Sequence, residues 1–374
     1  MNSMITIENG DVVGGIRSFL KAVLETDVVD ALFVPLESGK GAVMPALVTD
    51  PAQLEQANPL APVMPINSAR AMSAITGKKP PARIGAVLRP CEIRALIELV
   101  KLQQASLEGV TLIGLDCPGT FEVAGYTTRK RNGSFNLADY LEAGRKGEEP
   151  ALEGLAVRNA CQMCVQPVPS NVAVHLQLFG VDTGSGIPVE LDEELAAKLN
   201  MSASGGEKSD QRRGAIDQTI NRRKQVREKE ITAIRAQMNS DGGIAGLFET
   251  CIRCHNCMNA CPICYCKTCL FRTAAFDHQP EHYLTAARRK GAVRMLGDTL
   301  LFHMTRLNHM SASCVSCGMC TSACPSEIQV GAIFSAVGEQ VQAAFNYAPG
   351  KDPAEPLPLI TFQANEWTEV GEAK

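Results

Sequence analysis

Two cysteine runs carry the clearest chemical signal in this sequence. Each has the spacing C-x2-C-x2-C-x3-C followed by proline; the cysteines are Cys251, Cys254, Cys257 and Cys261, then Cys314, Cys317, Cys320 and Cys324. In two-cluster ferredoxins, three thiolates of such a run bind one 4Fe-4S cluster, and the fourth, before the proline, binds the other. Zinc sites more commonly use two C-x2-C pairs. The spacing therefore predicts two 4Fe-4S clusters.

The crossed arrangement also predicts which cysteines bind each cluster. The first ferredoxin set consists of Cys251, Cys254, Cys257 and Cys324. The second ferredoxin set consists of Cys314, Cys317, Cys320 and Cys261.

Four other cysteines predict a third cluster. Cys91 lies at a turn between an apolar strand and an amphipathic helix, Cys117 ends another apolar strand, and a C-x2-C pair follows at Cys161 and Cys164. Backbone N–H groups at the ends of such elements favour thiolates. We therefore expect these four residues, here called the α/β set, to bind a 4Fe-4S cluster. Buried structural thiols and a zinc site are the alternatives.

The last three cysteines directly follow the first run. These spare thiols are Cys264, Cys266 and Cys269, in "PICYCKTC". They could compete with Cys261 for a cluster, supply a further partial site, or face another subunit. The spacing of the three cysteines does not distinguish these three roles.

Composition narrows the function classes. The chain has 374 residues, a formal net charge of −4 and 15 cysteines. An excess of acidic residues argues against general nucleic-acid binding. The sequence contains no apolar run of membrane-spanning length and no signal-peptide pattern at its start, so we expect a cytoplasmic protein. Structural disulfides are disfavoured there, which leaves metal binding to explain the cysteines.

Alternating strands and helices predict an α/β layer in the first half of the chain. Strand-like segments are "VDALFVPLE", "IGAVL", "VTLIGLD" and "NVAVHLQLFG", with "ARAMSAI" and "EIRALIELVKLQ" helical between them. We predict an α/β domain over residues 1–205 and a charged helical connector over 206–240. A mostly helical two-cluster ferredoxin domain over 241–345 and an extended tail over 346–374 follow.

The segment between the two runs reads mostly as helix. Several of its cations could raise the potential of an anionic cluster, although for any one of them a solvated face is the simpler reading. They are Arg288, Arg289, Lys290, Arg294 and Arg306. His303 and His309 are expected to pack within helices.

Several motifs together resemble a known family. They are "LRPCEIRAL", "LDCPGT", "ACQMCVQPVP", "CMNACPICYCKTC", "LFHMTRLNHM" and "CVSCGMCTSACP". They resemble the beta subunit family of deazaflavin-coenzyme hydrogenases and dehydrogenases, most of all its formate dehydrogenase beta-subunit-like members. The resemblance implies an α/β domain that holds FAD beside a 4Fe-4S cluster, and a ferredoxin module that connects it to partner subunits. Some family members carry the ferredoxin module at the N-terminus, whereas here it lies at the C-terminus.

Sequence motifs give weaker evidence for a flavin site than for the clusters. No G-x-G-x-x-G opens a helix after a strand, so a Rossmann dinucleotide site is not indicated. The resemblance, together with small-residue turns, implies FAD contacts from Lys40, Asn67, Ser68, Arg70 and Thr120. Each of these is an ordinary loop residue if the flavin is absent.

Three functions fit these observations. The first is an iron–sulfur flavoprotein subunit that relays electrons between a two-electron carrier at FAD and clusters leading to a partner. That partner would belong to a complex of formate dehydrogenase, hydrogenase or heterodisulfide-reductase type. The second is a flavin-free electron-transfer subunit resembling heterodisulfide reductase small subunits. The third is a metal-stabilised scaffold without redox activity. No catalytic acid or base is evident.

Overall fold

A computed structural model gives the fold of residues 1–78, 80, 82–152, 154–203, 210–292 and 298–358. These described residues form a mixed β-sheet flanked by helices, here called the sheet unit (residues 2–198), and a later group of helices, the helical module (residues 243–344). The strands are β1 (Asn2–Thr6), β2 (Ala31–Glu37), β3 (Val43–Val48), β4 (Ile84–Leu88), β5 (Val110–Leu115), β6 (Ala151–Leu152), β7 (Leu155–Ala156), β8 (Val174–Leu176) and β9 (Gly186–Leu191).

The main sheet has seven strands in the order β1-β9-β8-β5-β4-β2-β3. Its centre, β8-β5-β4-β2, is parallel, and the remaining neighbours pair antiparallel. All five residues of β4 are buried, as expected for a central parallel strand covered on both faces. The predicted α/β layer is confirmed as a mixed sheet with helices, and each predicted strand segment contains a strand.

The helices alternate with the strands and then form the helical module. They are α1 (Val12–Glu25), α2 (Ala69–Thr76), α3 (Pro90–Lys101), α4 (Val123–Arg131), α5 (Leu137–Lys146), α6 (Asn159–Gln162), α7 (Glu193–Lys198), α8 (Asp210–Met238), α9 (Gly243–Gly246), α10 (Asn256–Ala260), α11 (Pro280–Lys290), α12 (Thr299–Met310), α13 (Met319–Ser322) and α14 (Val330–Ala344). Among the described residues, none of these helices is long and apolar enough to cross a membrane.

Helix α3 is the element that positions the first cysteine of the α/β set. Pro90 opens it, where the missing N–H has no intrahelical partner to lose. The Glu92 carboxylate accepts hydrogen bonds from the backbone N–H groups of Arg89 and Ser68, each at 2.9 Å. These bonds join the helix start to the loop before α2.

The charged helix α8 lies within the predicted connector, which a helix of this composition would be expected to expose to solvent. It does carry many charges, but one side is buried, including Thr219, Arg223 and Ile231. This side packs against α5, α6 and α14, so it touches both the sheet unit and the helical module. A helix that covers two units needs a buried stripe, and here that stripe contains arginine.

The sheet unit and the helical module share a hydrophobic core. One core cluster combines Leu88 and Leu96 from β4 and α3 with Phe302 and Phe334 from α12 and α14. A second cluster lies within the sheet unit alone. Shared burial holds the two units together because separating them would expose apolar area to water.

The chain after α14 returns to helix α3. The Glu98 carboxylate accepts hydrogen bonds from the Tyr347 hydroxyl at 2.6 Å and from the Gly350 N–H at 2.7 Å. The predicted tail continues beyond residue 358, outside the described residues. The predicted domain boundaries stay predictions.

Candidate iron–sulfur and electron-transfer site

The parallel centre of the sheet brings the α/β set together. Cys91 lies in the first turn of α3, directly after β4, and Cys117 follows β5. Because β4 and β5 are parallel neighbours, their carboxyl ends meet at the same edge of the sheet. Cys161 lies in the short helix α6 and Cys164 just beyond it.

The thiols of this set affect one another's ionisation. Burial raises the pKa of Cys91 well above its ordinary value, and the charges of Cys117 and Cys164 raise it further. Burial also raises the pKa of Cys117, as do the charges of Cys161 and Cys164. The four predicted ligands therefore occupy one neighbourhood.

Buried cations surround the α/β set. The Arg158 side chain is 5% exposed, and its guanidinium lies 3.8 Å from Cys161 Sγ. The Thr120 N–H also approaches that sulfur, at 3.4 Å. Burial alone would raise the pKa of Cys161, but the Arg158 charge and the Thr120 hydrogen bonds bring it below its ordinary value. This environment favours the thiolate, which is the form that binds a metal.

The two ferredoxin runs have the same backbone turn. Arg253 and Ser316, each two residues after the first cysteine of a run, have φ of 57° and 58°. His255 and Gly318, two residues further on, have φ of 59° and 71°. The left-handed residue after Cys251 lets the Arg253 N–H reach Cys251 Sγ at 3.4 Å. Backbone donors of this kind stabilise negative charge on cluster ligands.

The first ferredoxin set gathers around Cys257. Burial raises the pKa of Cys257 to about 11; Arg306 opposes this shift, and the charges of Cys251, Cys254 and Cys324 add to it. Cys254 is exposed, whereas Cys257 is buried. The first set therefore reaches the protein surface.

The second ferredoxin set includes the cysteine that crosses from the first run. Burial raises the pKa of Cys317 to about 12, and the charges of Cys261 and Cys314 contribute. The charge of Cys261 is also the largest charge effect on Cys320. The structure thus brings together the crossed sets that the spacing predicts.

In the part of the chain that the structure describes, the cysteine sets do not have the geometry of a site for one metal ion. Within the described ranges, no group of three or more His, Cys, Asp or Glu side chains is arranged to hold a single metal ion. The groups are therefore sets of neighbouring thiols, and their role as cluster ligands stays a prediction. Their number, spacing and cationic surroundings fit 4Fe-4S clusters.

Three buried arginines each lie next to two of the three cysteine sets, and these contacts show the order of the sets in space. Arg306 donates to Cys257 Sγ at 3.1 Å, and the charges of Cys261 and Cys320 also raise its pKa. The charges of cysteines from both the α/β set and the second set act on the Arg94 guanidinium. They act in the same way on Arg158. The second ferredoxin set therefore lies between the other two.

Close packing supports that order. A Cβ added at Gly318, inside the second run, would lie 2.2 Å from the Ala160 Cβ, next to Cys161. Glycine at this position allows the second run to approach helix α6, and its φ of 71° also favours glycine. The contact brings the second ferredoxin set against the α/β set.

Among the residues predicted between the two runs, Arg306 and His303 approach the cysteines. His303 packs as predicted, stacked on Phe248 with ring centroids 3.8 Å apart, and its Nε2 lies 3.3 Å from Cys251 Sγ. Burial and nearby cations lower the pKa of His303 to about 3, which keeps the ring neutral. Arg288, Arg289 and Lys290 are exposed at the end of α11, and Arg294 lies outside the described residues.

Comparison with known proteins identifies a family match in the cysteine-rich region and two similar proteins. The 4Fe-4S dicluster domain family matches residues 247–328. The F420-dependent formate dehydrogenase subunit beta of Methanocaldococcus jannaschii is 26% identical, with 94% of each chain covered. The F420-dependent formate dehydrogenase 1 subunit beta of Methanococcus maripaludis is 25% identical, again with 94% of each chain covered.

The predicted family resemblance is confirmed. Both relatives are subunits of an oxidoreductase, which also confirms the prediction of an oxidoreductase subunit. The match at residues 247–328 confirms the predicted two-cluster ferredoxin module.

One solved structure is a more distant match. It is a chain of the F420-reducing NiFe hydrogenase complex from Methanosarcina barkeri, studied by xenon derivatization. The chains are 12% identical with a TM-score of 0.43, and the match covers 62% of this chain and 92% of that one.

The residues implied as flavin contacts do not form a recognisable pocket. Lys40 lies in the exposed turn after β2, and Arg70 donates to the Asn259 carbonyl in the helical module. Asn67, Ser68 and Thr120 are 2%, 5% and 1% exposed. Although the Asn67 side-chain N–H2 is buried without a partner, Thr120 Oγ1 already accepts from Arg158 Nε at 2.9 Å. These five side chains thus differ in exposure and several already have protein partners, and the FAD site stays a prediction.

The buried cations around the α/β set were missed by sequence reasoning. Arg89 and Arg94 flank Cys91 at distances of two and three residues, and Arg158 precedes Cys161 by three. Their proximity along the chain was an available signal. Because an arginine near a cysteine is ordinary, only the packing identifies these three as buried partners.

Proposed function

We propose that this chain is the electron-relay subunit of a formate dehydrogenase-type oxidoreductase complex. The observation that carries the proposal is the order of the three cysteine sets, with the second ferredoxin set between the α/β set and the first ferredoxin set. When bound, each 4Fe-4S cluster accepts and releases one electron. A cytoplasmic location belongs to the same proposal.

The chain's own residues define the path. Cys91 and Cys317 are close enough for their charges to interact, and Gly318 packs against Ala160 beside Cys161. Electrons would pass from the α/β set to the second set and then to the first. The exposed Cys254 places the first set at the surface, where a partner subunit would dock. Either direction of flow is compatible with this order.

Buried arginines maintain the charge balance along the path. Arg94 donates to the Val315 carbonyl at 3.2 Å and to the Pro349 carbonyl at 3.1 Å, so its position between two sets is fixed. Arg158 and Arg306 are likewise buried. A thiolate-ligated cluster is anionic, and fixed cations beside it favour the reduced, more negative state.

The relatives suggest the partners. Their names describe F420-dependent formate dehydrogenases, so we propose a formate-oxidising subunit as partner and a deazaflavin coenzyme as the two-electron carrier. Hydrogenase and heterodisulfide-reductase complexes are the other partner classes predicted from the sequence.

Purification of the native complex under anoxic conditions, through a tag on this chain, tests the proposal. Formate should reduce the clusters in the complex, observed as new electron paramagnetic resonance signals. A preparation that contains zinc without iron would contradict the proposal. So would clusters that dithionite reduces but that neither formate, hydrogen nor reduced deazaflavin coenzyme reduces.

A flavin-free relay is the second candidate. It is favoured by the scattered, mostly engaged positions of Lys40, Asn67, Ser68, Arg70 and Thr120. The finer proposal, that the sheet unit also binds FAD, is decided by the fluorescence of flavin released on acid denaturation. Cluster-loaded protein that neither contains FAD nor binds it in excess would support the flavin-free candidate.

A further inference from the structure

The spare thiols line a cavity that the electron relay does not use. This cavity of about 120 Å³ is lined by Cys264, Cys266 and Cys269 together with Arg70, Arg272 and Arg306. It lies in the helical module beside the crossing cysteine, Cys261. Three thiols and three guanidinium groups on one small cavity call for a chemical explanation.

Two of the spare thiols have the spacing of a redox-active pair. Cys266 and Cys269 form a C-x2-C motif, and the chain bends at the two residues between them. Cys266 is exposed, whereas Cys269 is partly buried with its Sγ 3.8 Å from Met258 Sδ. An accessible thiol paired with a shielded one suits disulfide exchange, in which the first attacks and the second resolves.

The cavity is next to the predicted clusters. Arg306 lines it and also donates to Cys257 Sγ at 3.1 Å, so one side chain touches both the cavity and a predicted ligand. Cys264 follows the crossing cysteine in the sequence, its backbone N–H donates to the Cys261 carbonyl at 3.3 Å, and it lines the cavity with the pair. A short route thus connects the second ferredoxin set to the C-x2-C pair.

We infer that Cys266 and Cys269 are a redox-active dithiol that reduces a small disulfide carrying acidic groups. The inference rests on the proposed function for its electron supply. The Cys266 thiolate attacks one sulfur of the substrate disulfide, forms a mixed disulfide and releases one thiol after protonation. Cys269 then attacks Cys266, forms the internal disulfide and releases the second thiol. Two electrons, delivered singly from the clusters, and two protons restore the dithiol.

The acidic character of the substrate follows from the cavity lining. Arg70 and Arg272 both donate to Asn259, to its carbonyl and side-chain oxygens respectively, which holds their guanidinium groups at the cavity. Arg306 is 3% exposed. Three guanidinium groups attract carboxylate or sulfonate groups. The small cavity volume favours one short arm of a small-molecule disulfide over a folded protein substrate.

A trapping experiment on the anoxic holoprotein tests the exchange step. The probe is dithiodipropionate, and bis(2-hydroxyethyl) disulfide is its neutral counterpart of similar length. In Cys269→Ser, the dicarboxylate should accumulate as a mixed disulfide on Cys266, which peptide mass spectrometry detects. Cys266→Ser should give no such adduct, and the wild type should form the Cys266–Cys269 disulfide in place of a lasting adduct.

Charge preference tests the substrate class. The dicarboxylate should react roughly tenfold or more faster than the neutral disulfide. Arg272→Gln should reduce that ratio several-fold without changing iron content. Equal rates for the two probes would overturn the acidic substrate class.

Cluster coupling is measured in the same protein. In cluster-loaded wild type, two electron equivalents of dithionite should convert the Cys266–Cys269 disulfide to thiols, as read by differential alkylation. Loss of iron from Cys266→Ser or Cys269→Ser would overturn the inference, because these residues would then be ligands. An internal disulfide that stays oxidised while the clusters are reduced would overturn the electron route and leave the proposed relay standing.

Failure of the proposed function would look different. Protein without iron–sulfur clusters would contradict the relay, yet the trapping and charge-preference measurements do not require clusters. If no mixed disulfide forms in Cys269→Ser, the dithiol inference is wrong whatever the cluster content.

Discussion

The ferredoxin sets and the α/β set gather the same kind of ligand by different means. All eight ferredoxin thiols lie in two short runs with the same left-handed turns, and six of them belong to the set of their own run. The α/β set instead comes from three separate segments, after β4, after β5 and around α6. A run can present its thiols locally, whereas the α/β set exists only once the sheet has formed.

The surroundings differ in the same way. The first ferredoxin set reaches solvent at Cys254, the Arg253 N–H approaches Cys251 Sγ, and one buried arginine, Arg306, donates to Cys257 Sγ. The α/β set lies among buried arginines, of which Arg158 and Arg223 are 5% and 1% exposed. Where water is excluded, charged side chains must compensate charge that solvent would otherwise stabilise. With the same ligand type in both sets, the more deeply buried set has the larger number of buried arginines around it.

Removing part of the α/β set should have the largest effect. In Cys161→Ala with Cys164→Ala, we expect iron to fall from about twelve to about eight per chain, since one of three four-iron clusters is lost. The variant should also lose stability, because buried arginines would face a site without its anionic cluster. Iron analysis and thermal unfolding measure both effects.

The spare-thiol variant Cys264→Ser is the matched control and should retain full iron. About eight irons in fully loaded wild type would remove the third cluster and leave Cys91 and Cys117 as structural thiols.

Single substitutions in the ferredoxin sets should remove one cluster each and spare the sheet. Cys257→Ala and Cys320→Ala affect different sets, so each should eliminate a different paramagnetic signal. Circular dichroism should remain close to wild type, because the sheet unit has a core cluster of its own. Unchanged iron in either variant would show that its ligand assignment is incorrect.

A buried ion pair near the α/β set should dominate the stability of the sheet unit. Asp116 follows β5, is 0% exposed, and accepts from His175 Nε2 at 2.8 Å and Arg212 Nη2 at 3.1 Å. Asp116→Asn should reduce the free energy of unfolding by about 3–5 kcal/mol, because it leaves the Arg212 guanidinium without its carboxylate.

Chemical denaturation, followed by the circular dichroism of the β-sheet, measures this loss of stability. Glu194→Gln, which breaks the exposed pair with Lys198, is the control and should change stability little. An Asp116→Asn variant as stable as this control would mean that the buried pair adds nothing to the fold.

The smallest predicted effect is on cluster potential. Arg306→Gln removes a cation that lies 3.1 Å from Cys257 Sγ, so the reduced cluster loses electrostatic stabilisation. The midpoint potential of a ferredoxin cluster should fall by on the order of 60 mV, equivalent to about 1.4 kcal/mol for one electron. Redox titration monitored by paramagnetic resonance reads the shift.

Arg288→Gln, at the exposed end of α11, is the control and should leave the potentials unchanged. A potential that rises in Arg306→Gln would contradict the assigned role of the guanidinium.

The sequence alone determined the features that depend on local spacing. The two runs that predict the dicluster module, the apolar segments that form β4 and β5, and Cys91 in the first turn of α3 are all read from neighbouring residues. Local geometry is sufficient for these features because chain connectivity fixes which groups can meet over a few residues.

Tertiary structure decided everything that depends on distant segments meeting. Only packing places the second ferredoxin set between the other two, buries Arg158 and Arg306 beside thiols, and covers one side of α8. It also leaves Lys40 in an exposed turn while Asn67 and Thr120 are buried, although the family resemblance and the turn sequences had implied one flavin site. The physical reason is that long-range proximity follows from how apolar faces pack together, and no short stretch of sequence specifies its distant partner.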